Sequence, residues 1–332
     1  MKIIKRIIQG IGILVLAGVL FLLFIKVFGF FKLKDFYDNS TREFKIPGLF
    51  ENFIPQGMDF DETKETFVIS GYDSKGDKST IYTVDKEKNV KKIYLKNLQK
   101  EECKDHCGGV TIYKDYLLVS GGNGASTDLQ FVYTFKLDDL YSLNDGSFIE
   151  SIAETEVYVG TAFINAVGDT LYVGEFNHDG SPLYDVIKTT GRSWMPSDSK
   201  AIMLAYDLNI DGTFDLVPTK AYSIPSDVQG MAIVDGNKIA FSDSYGINPG
   251  HISFYNNPTA SGSVTIDGNN IPLYYFNDSN FIKKVDTSPM IEAICYANNK
   301  IYTLNESASN KYLYGLLYRG SYVYSFDYTK IL

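Results

Sequence analysis

Short apolar runs alternate with polar turns along most of this chain, and the pattern recurs. Its clearest copy is SIPSDVQGMAIVDGNKIAFSDSYG, residues 223–246. A strand ends, polar and small residues follow, an apolar strand starts, a tight turn reverses it, and a second apolar strand ends in small polar residues. The stretches 45–74, 103–124, 155–180 and 286–309 repeat that order. Gly57, Gly109, Phe163, Gly230 and Ala293 mark equivalent points, at steps of 52, 54, 67 and 63 residues. Repeats of this length built from short strands predict the blades of a β-propeller.

Each blade reads as an antiparallel meander of four strands joined by polar connections. The fourth strand of the second blade is expected over 148–154. That of the fourth blade is expected over 271–276, continued by 281–285. The fifth blade runs out of chain one strand short. EFKIP, residues 43–47, has no blade of its own, yet precedes Gln56 as AYSIP precedes Gln229. The simplest closure makes it the missing strand, which removes two open sheet edges. The fold class is therefore all-β, a five-bladed propeller over residues 42–332. A six-bladed ring is the alternative, with an extra hairpin hidden in 257–289.

Composition agrees: 25 Tyr and 22 Phe favour strands. The beginning of the chain departs from the pattern. Residues 7–25 hold no charge and are nearly long enough to cross a bilayer of roughly 30 Å. Lys2, Lys5 and Arg6 precede the run, and Lys26, Lys32 and Lys34 follow it. No good cleavage site follows it either, so residues 1–34 read as an uncleaved signal anchor, with 35–41 as a polar linker. The flanking charge is balanced and does not set orientation. A long folded domain after a first anchor is expected outside the cytoplasm. The six positive charges of 1–34 leave the remainder at −15 of the net −9. So acidic a body lacks the footprint of a nucleic-acid binder.

In a meander, the start of strand one and the end of strand two share one end of the sheet. Repetition brings these segments to one mouth of the central channel. Gln56, His106, Gln229 and Glu292 come from strand-one starts, and Tyr72, Glu175, His178, Asp243, Tyr245 and Glu306 from strand-two ends or just beyond. Glu292 and Glu175 interrupt apolar runs, and an acid there is costly unless paired or bound to a cation. The alternative is that these groups only cap blade edges. Glu292, Glu175, His106 and Asp243 are the catalytic candidates. The long connection 177–200 reaches the same mouth, carrying Arg192 and the only tryptophan, Trp194. That ring suits either a ligand wall or the loop's own small core.

His106 lies in CKDHCGG, where Cys103 and Cys107 are placed for a disulfide outside the cytoplasm, with zinc as the other reading. Asp207, Asn209, Asp211 and Asp215 have the spacing of a calcium loop, with Gly212 at its sixth position but Pro218 at its twelfth. The other reading is an ordinary hairpin turn. G-x-S-x-G is absent, which argues against a hydrolase nucleophile elbow.

DVQGMAIVDGNKIAFSDSYG and DLNIDGTF together resemble the loose superfamily of calcium-dependent propellers that includes regucalcin-like gluconolactonases, strictosidine-synthase-like proteins and paraoxonases. That resemblance implies a metal on the channel axis, with Glu292, Gln229 and Asp243 at the matching kind of position. FIPQGM is also similar to the FTQGL start of plant-type glutaminyl cyclases, which are five-bladed. Where those enzymes carry an acid in the following strand, this chain has Ile69 and Ser70. Two functions follow as expectations. One is a membrane-anchored extracytoplasmic propeller that binds a small molecule, glycan or protein partner at its mouth. The other is a metal-assisted hydrolase or lactonase, with Ca2+ as the expected ion.

Overall fold

The computed structural model describes residues 2–76, 78–122, 130–181, 184 and 194–332. Five sheets form the blades of a β-propeller. Blade one is Phe53–Asp61, Thr66–Asp73, Ser79–Val84 and Val90–Lys96. Blade two is Val110–Tyr113, Tyr116–Gly121, Gln130–Lys136 and Ala153–Val157. Blade three is Phe163–Val167, Thr170–Gly174, Ala201–Asp207 and Lys220–Ile224. Blade four is Val228–Val234, Lys238–Asp243, Gly250–Asn256 and Phe281–Thr287. Blade five has Ile291–Ala297, Lys300–Asn305 and Tyr322–Phe326, and its outer strand is Ser40–Lys45. That strand runs antiparallel to Tyr322–Phe326, from Ser40 opposite Phe326 to Lys45 opposite Tyr322. The ring closes as the strand count requires.

Two outer-edge assignments change. Phe148–Glu150 pairs in parallel with Val90–Lys96, so it is a fifth strand of blade one, and blade two takes Ala153–Val157 instead. The surplus in 257–289 is indeed a hairpin, Ala260–Ile266 and Asn269–Tyr275. It makes no sixth blade: its second strand adds in parallel to Lys220–Ile224 and widens blade three to six strands. In both places an open sheet edge has taken up the chain passing beside it, which covers unpaired backbone groups.

The core lies between the blades. Five apolar clusters fill the five interfaces among the described residues. One joins Phe67, Ile69 and Tyr82 of blade one to Cys295, Tyr302 and Leu304 of blade five. Each such ring or branched side chain contributes about 1.5–3 kcal/mol by its burial.

Five blades leave little room at the axis, and the repeat markers show how it is filled. A Cβ on Gly57 would stand 2.6 Å from the Val110 nitrogen, and one on Gly109 would stand 2.3 Å from the Ile164 nitrogen. Inner strands can approach this closely only where side chains are missing. Gly57, Gly109, Phe163, Gly230 and Ala293 together surround a void of about 10 Å³. The channel is closed there, and the mouth above it is a cup.

At its N-terminal end the chain forms the helix Lys2–Lys32. Its stretch Ile3–Gly29 is long and apolar enough to cross a membrane, as an anchor or a signal sequence would be. Side chains from Ile3 to Phe24 are exposed, Ile25 is partly buried, and Gly29 is buried against Tyr318. The expected linker is ordered instead. Lys34–Asp38 is a short helix whose Phe36 is buried against the rings of Tyr324 and Phe326. An aromatic pair in that stretch, Phe36-Tyr37, supplies the apolar surface that a solvated linker lacks.

Candidate functional site

Above the plugged axis lies a cavity of about 440 Å³. Its floor takes one residue from each blade: Gln56, Gly108, Ala162, Gln229 and Glu292, each immediately preceding a repeat marker. Three of these residues sit on β-bulges. The pairing register shifts between Pro55 and Gly57, between Val228 and Gly230, and between Ile291 and Ile294. A bulge leaves one residue out of the ladder and re-aims its side chain. Gln56, Gln229 and Glu292 thereby reach the cavity from strands whose alternation is otherwise apolar.

The chemical centre is a pair of buried carboxyls. Glu292 and Glu306 are both buried, and they interact through a hydrogen bond between their side chains. Gln56 Nε2 donates to Glu306 Oε2 at 2.9 Å. Burial holds the Glu306 carboxyl up at about 7, against the opposing pull of the Lys311 ammonium and of the hydrogen bonds from Glu292 and Gln56. Burial, then the Glu306 charge, pushes Glu292 well above the ordinary carboxylate range. Two close buried carboxyls disfavour ionising together, so a shared proton is expected, on the side of Glu292 where the upward push is stronger. Glu292 Oε1 is buried, and among the described residues no amide, hydroxyl or ammonium donates to it.

Aromatic and apolar side chains make the walls: Phe176, Tyr184, Tyr245, Ile247, Tyr312 and Tyr314. Lys311 Nζ donates to the Tyr72 hydroxyl at 2.7 Å and lies over the Tyr312 ring at 5.0 Å. His106 packs edge-on against Tyr72, with ring centroids 4.3 Å apart. The Tyr314 hydroxyl donates to the Gly246 carbonyl at 3.1 Å, tying the fifth-blade loop to the fourth.

Of the residues named from sequence, Gln56, Tyr72, His106, Gln229, Tyr245, Glu292 and Glu306 line this cavity. Others face elsewhere. Glu175 points away from the adjacent Phe176, and its Oε1 accepts the Ile202 backbone N–H at 3.0 Å. Asp243 turns outward to His251 Nδ1 at 2.6 Å and to the Ser253 hydroxyl at 2.6 Å, while Ser244 and Tyr245 face the cup. Neighbours along a strand point to opposite faces, so each of these acids is one residue out of phase. His178 stands behind the wall, stacked on the Tyr245 ring at 3.6 Å and bonded to Asp227 at 2.7 Å. Trp194 packs on the apolar cluster between blades two and three. Arg192 lies outside the described residues.

Cys103 and Cys107 are free thiols, which corrects the expected disulfide. Both are buried in the cluster between blades one and two, where the first bonds to Tyr133 and the second to Ser79. Burial pushes the Cys103 thiol up to about 12, and the Cys107 thiol well above its ordinary range. In the 207–215 loop the oxygens serve the turn. Asp211 Oδ1 accepts the Thr213 N–H and hydroxyl, Asp207 accepts the Thr219 hydroxyl, Asn209 donates to Thr213, and Asp215 is exposed.

Sequence reasoning missed Lys311, Tyr312 and Tyr314. The signal was present: residues 306–321 join strands two and three of blade five, the same connection as 177–200 in blade three. The meander rule sends both to the mouth.

The fold and this cup define a five-bladed β-propeller with a closed-bottom mouth site. No family pattern matches the chain, and no curated protein does. Solved structures give distant likenesses. Aldose sugar dehydrogenase from Streptomyces coelicolor, in its PQQ-bound form, shares 14% identity at TM-score 0.43, covering 80% of this chain and 78% of that one. BamB from Moraxella catarrhalis shares 12% at TM-score 0.33, covering 82% of each chain. Hydrazine synthase of Kuenenia stuttgartiensis shares 11% at TM-score 0.39, covering 77% and 70%. Likenesses this distant say nothing of ligand or reaction.

Proposed function

We propose that this protein is a membrane-anchored binding propeller, with its body outside the cytoplasm, whose mouth cavity holds a small molecule or a single sugar unit. One observation carries the reading: a pair of buried carboxyls, Glu292 and Glu306, lines the cavity beside Gln56 under an aromatic wall. Desolvated carboxyls gain strongly from a charge-assisted donor, which a ligand hydroxyl or amine in the cavity would supply to this pair. The aromatic wall suits a sugar face or an amine. A cavity of about 440 Å³ is in the range of small-molecule sites, whereas a protein partner calls for a broad surface.

The resemblance to calcium-dependent propellers implies an ion on the axis. The floor offers two carboxyls bonded to each other. Among the described residues no three His, Cys, Asp or Glu side chains converge as a metal-holding group. Calcium takes six to eight oxygens, so this donor set falls short of its shell, and we derive no step through a metal. A catalytic reading rests instead on the carboxyl pair, since an acid and a neighbour titrating at about 7 suit proton transfer.

The test is a thermal-shift screen of the full chain in detergent against sugars, polyols, small amines and Ca2+. A stabilising hydroxyl or amine compound is expected, with its effect lost in Glu292→Leu. A hit that Glu292→Leu leaves unchanged, or no hit in the panel, overturns the reading. Stabilisation by Ca2+ alone, lost in Glu292→Gln, would restore the metal-assisted alternative.

A further inference from the structure

The cavity's polarity is graded from floor to rim. Gln56, Glu292 and Glu306 are buried at the bottom. At the top, Ile247 is 72% exposed and Tyr245 43%. On the neighbouring loops Leu313 is 50% exposed, Leu316 37% and Phe50 55%. Leu313 and Leu316 belong to the loop that carries Tyr312 and Tyr314. Phe50 is on the adjoining loop, which Asn310 joins through the Leu49 carbonyl and Asn52. Among the described residues the exposed edge of this site thus carries several large apolar side chains.

The rim is continuous with the apolar helix. Gly29, the last residue of the span, lies against the Tyr318 ring, and the Tyr37 hydroxyl donates to the Tyr318 carbonyl. Tyr318 ends the 3-10 helix Tyr314–Tyr318, whose first residue lines the cavity. Wherever Gly29 leaves a bilayer, the cavity rim is therefore one short helix away. Lys45, Lys311 and Arg319 stand among these tyrosines and leucines, the mixture found at a headgroup layer. Leu313 also holds a left-handed backbone, φ 57°, which a bulky residue rarely adopts and which marks functional loops.

We infer that the mouth face rests on the membrane, and that the cavity takes the polar head of a membrane amphiphile entering from the headgroup layer. This rests on the binding reading above and on the helix acting as an anchor. The head seats on the floor, its hydroxyl or amine on Glu292, and the tail passes out between Ile247 and Tyr314 into the bilayer.

The test uses the full chain in phosphatidylcholine nanodiscs. A fluorophore is placed on Ile247→Cys, Leu316→Cys or, at the opposite mouth, Ile210→Cys. The native thiols are buried, so labelling is confined to the new site. Doxyl-labelled lipid should quench the first two several-fold more than the third. Equal quenching, or stronger quenching at 210, overturns membrane contact. In the same discs, lysophosphatidylethanolamine with a photoreactive acyl chain should be captured at Met290, Tyr312 or Tyr314. Unlabelled lysophosphatidylethanolamine should compete, and glycerophosphoethanolamine should not. Capture confined to the membrane helix, or equal competition by the water-soluble head, overturns the amphiphile while leaving a water-filled binding cavity standing. Failure of both this capture and the soluble screen rejects the cavity as a binding site.

Discussion

Blades three and five put an acid at the same place. Glu175 follows Gly174 at the end of one second strand, and Glu306 follows Asn305 at the end of the other. Both then launch a long connection toward the mouth. In blade three the acid is absorbed by the fold: Glu175 and Ile202 exchange hydrogen bonds through side chain and backbone. In blade five the position before the repeat marker is Glu292, where blade three has Ala162. That second acid leaves Glu306 facing a like group, and the pair stays chemically unsettled. The two acids differ in their partners: Glu175 meets a backbone N–H, whereas Glu306 meets a second carboxyl as well as the Gln56 amide. Blade five is also assembled from both ends of the sequence, whereas the four inner strands of blade three form one meander.

The largest expected effect follows from that last difference. Removing residues 1–46 deletes Ser40–Lys45 and opens the edge of Tyr322–Phe326, so the protein should aggregate on size exclusion in detergent. Removing only 1–33 keeps the ladder, and a monodisperse body is expected. Next come the two acids themselves. Glu175→Leu orphans the buried Ile202 N–H and should cost about 2–3 kcal/mol in denaturant unfolding. Glu292→Leu should be neutral or stabilising, because it replaces a desolvated carboxyl with an apolar group while Gln56 still donates to Glu306.

A smaller effect is set by pH. Glu306 titrates at about 7 when folded, against an ordinary value of 4.5. Between those values the folded chain binds more protons than the unfolded one, so stability falls as pH rises through that window. The contribution is complete below 4.5 and lost above 7. Glu306→Gln should flatten this slope in melting temperature against pH, and an unchanged slope would place its origin elsewhere. Smallest of all, Asp243→Asn should cost only on the order of 1 kcal/mol, through its bonds to His251 and Ser253, and leave ligand affinity unaltered.

Much of this was legible because the repeat phase is strict at the axis. The five markers, the closing strand and the floor residues Gln56, Gln229 and Glu292 all follow from it. Phase was lost wherever strands meet loops. Glu175 and Asp243 are each one position away from a cavity-facing residue, and such a slip inverts the face. The parallel additions of Phe148–Glu150 and Asn269–Tyr275 are non-local pairings chosen by an open edge, which leave no periodic trace. Cys103 and Cys107 are close in sequence, but each thiol has its own partner.

The most direct measurement is infrared absorption by the carboxyls of the full chain at pH 8, compared with Glu292→Gln and Glu175→Gln. A protonated carboxyl band should persist in the wild type and in Glu175→Gln, and vanish in Glu292→Gln. A wild type with no such band at pH 8, or a band that survives Glu292→Gln, would contradict the shared-proton pair on which the proposed site is built.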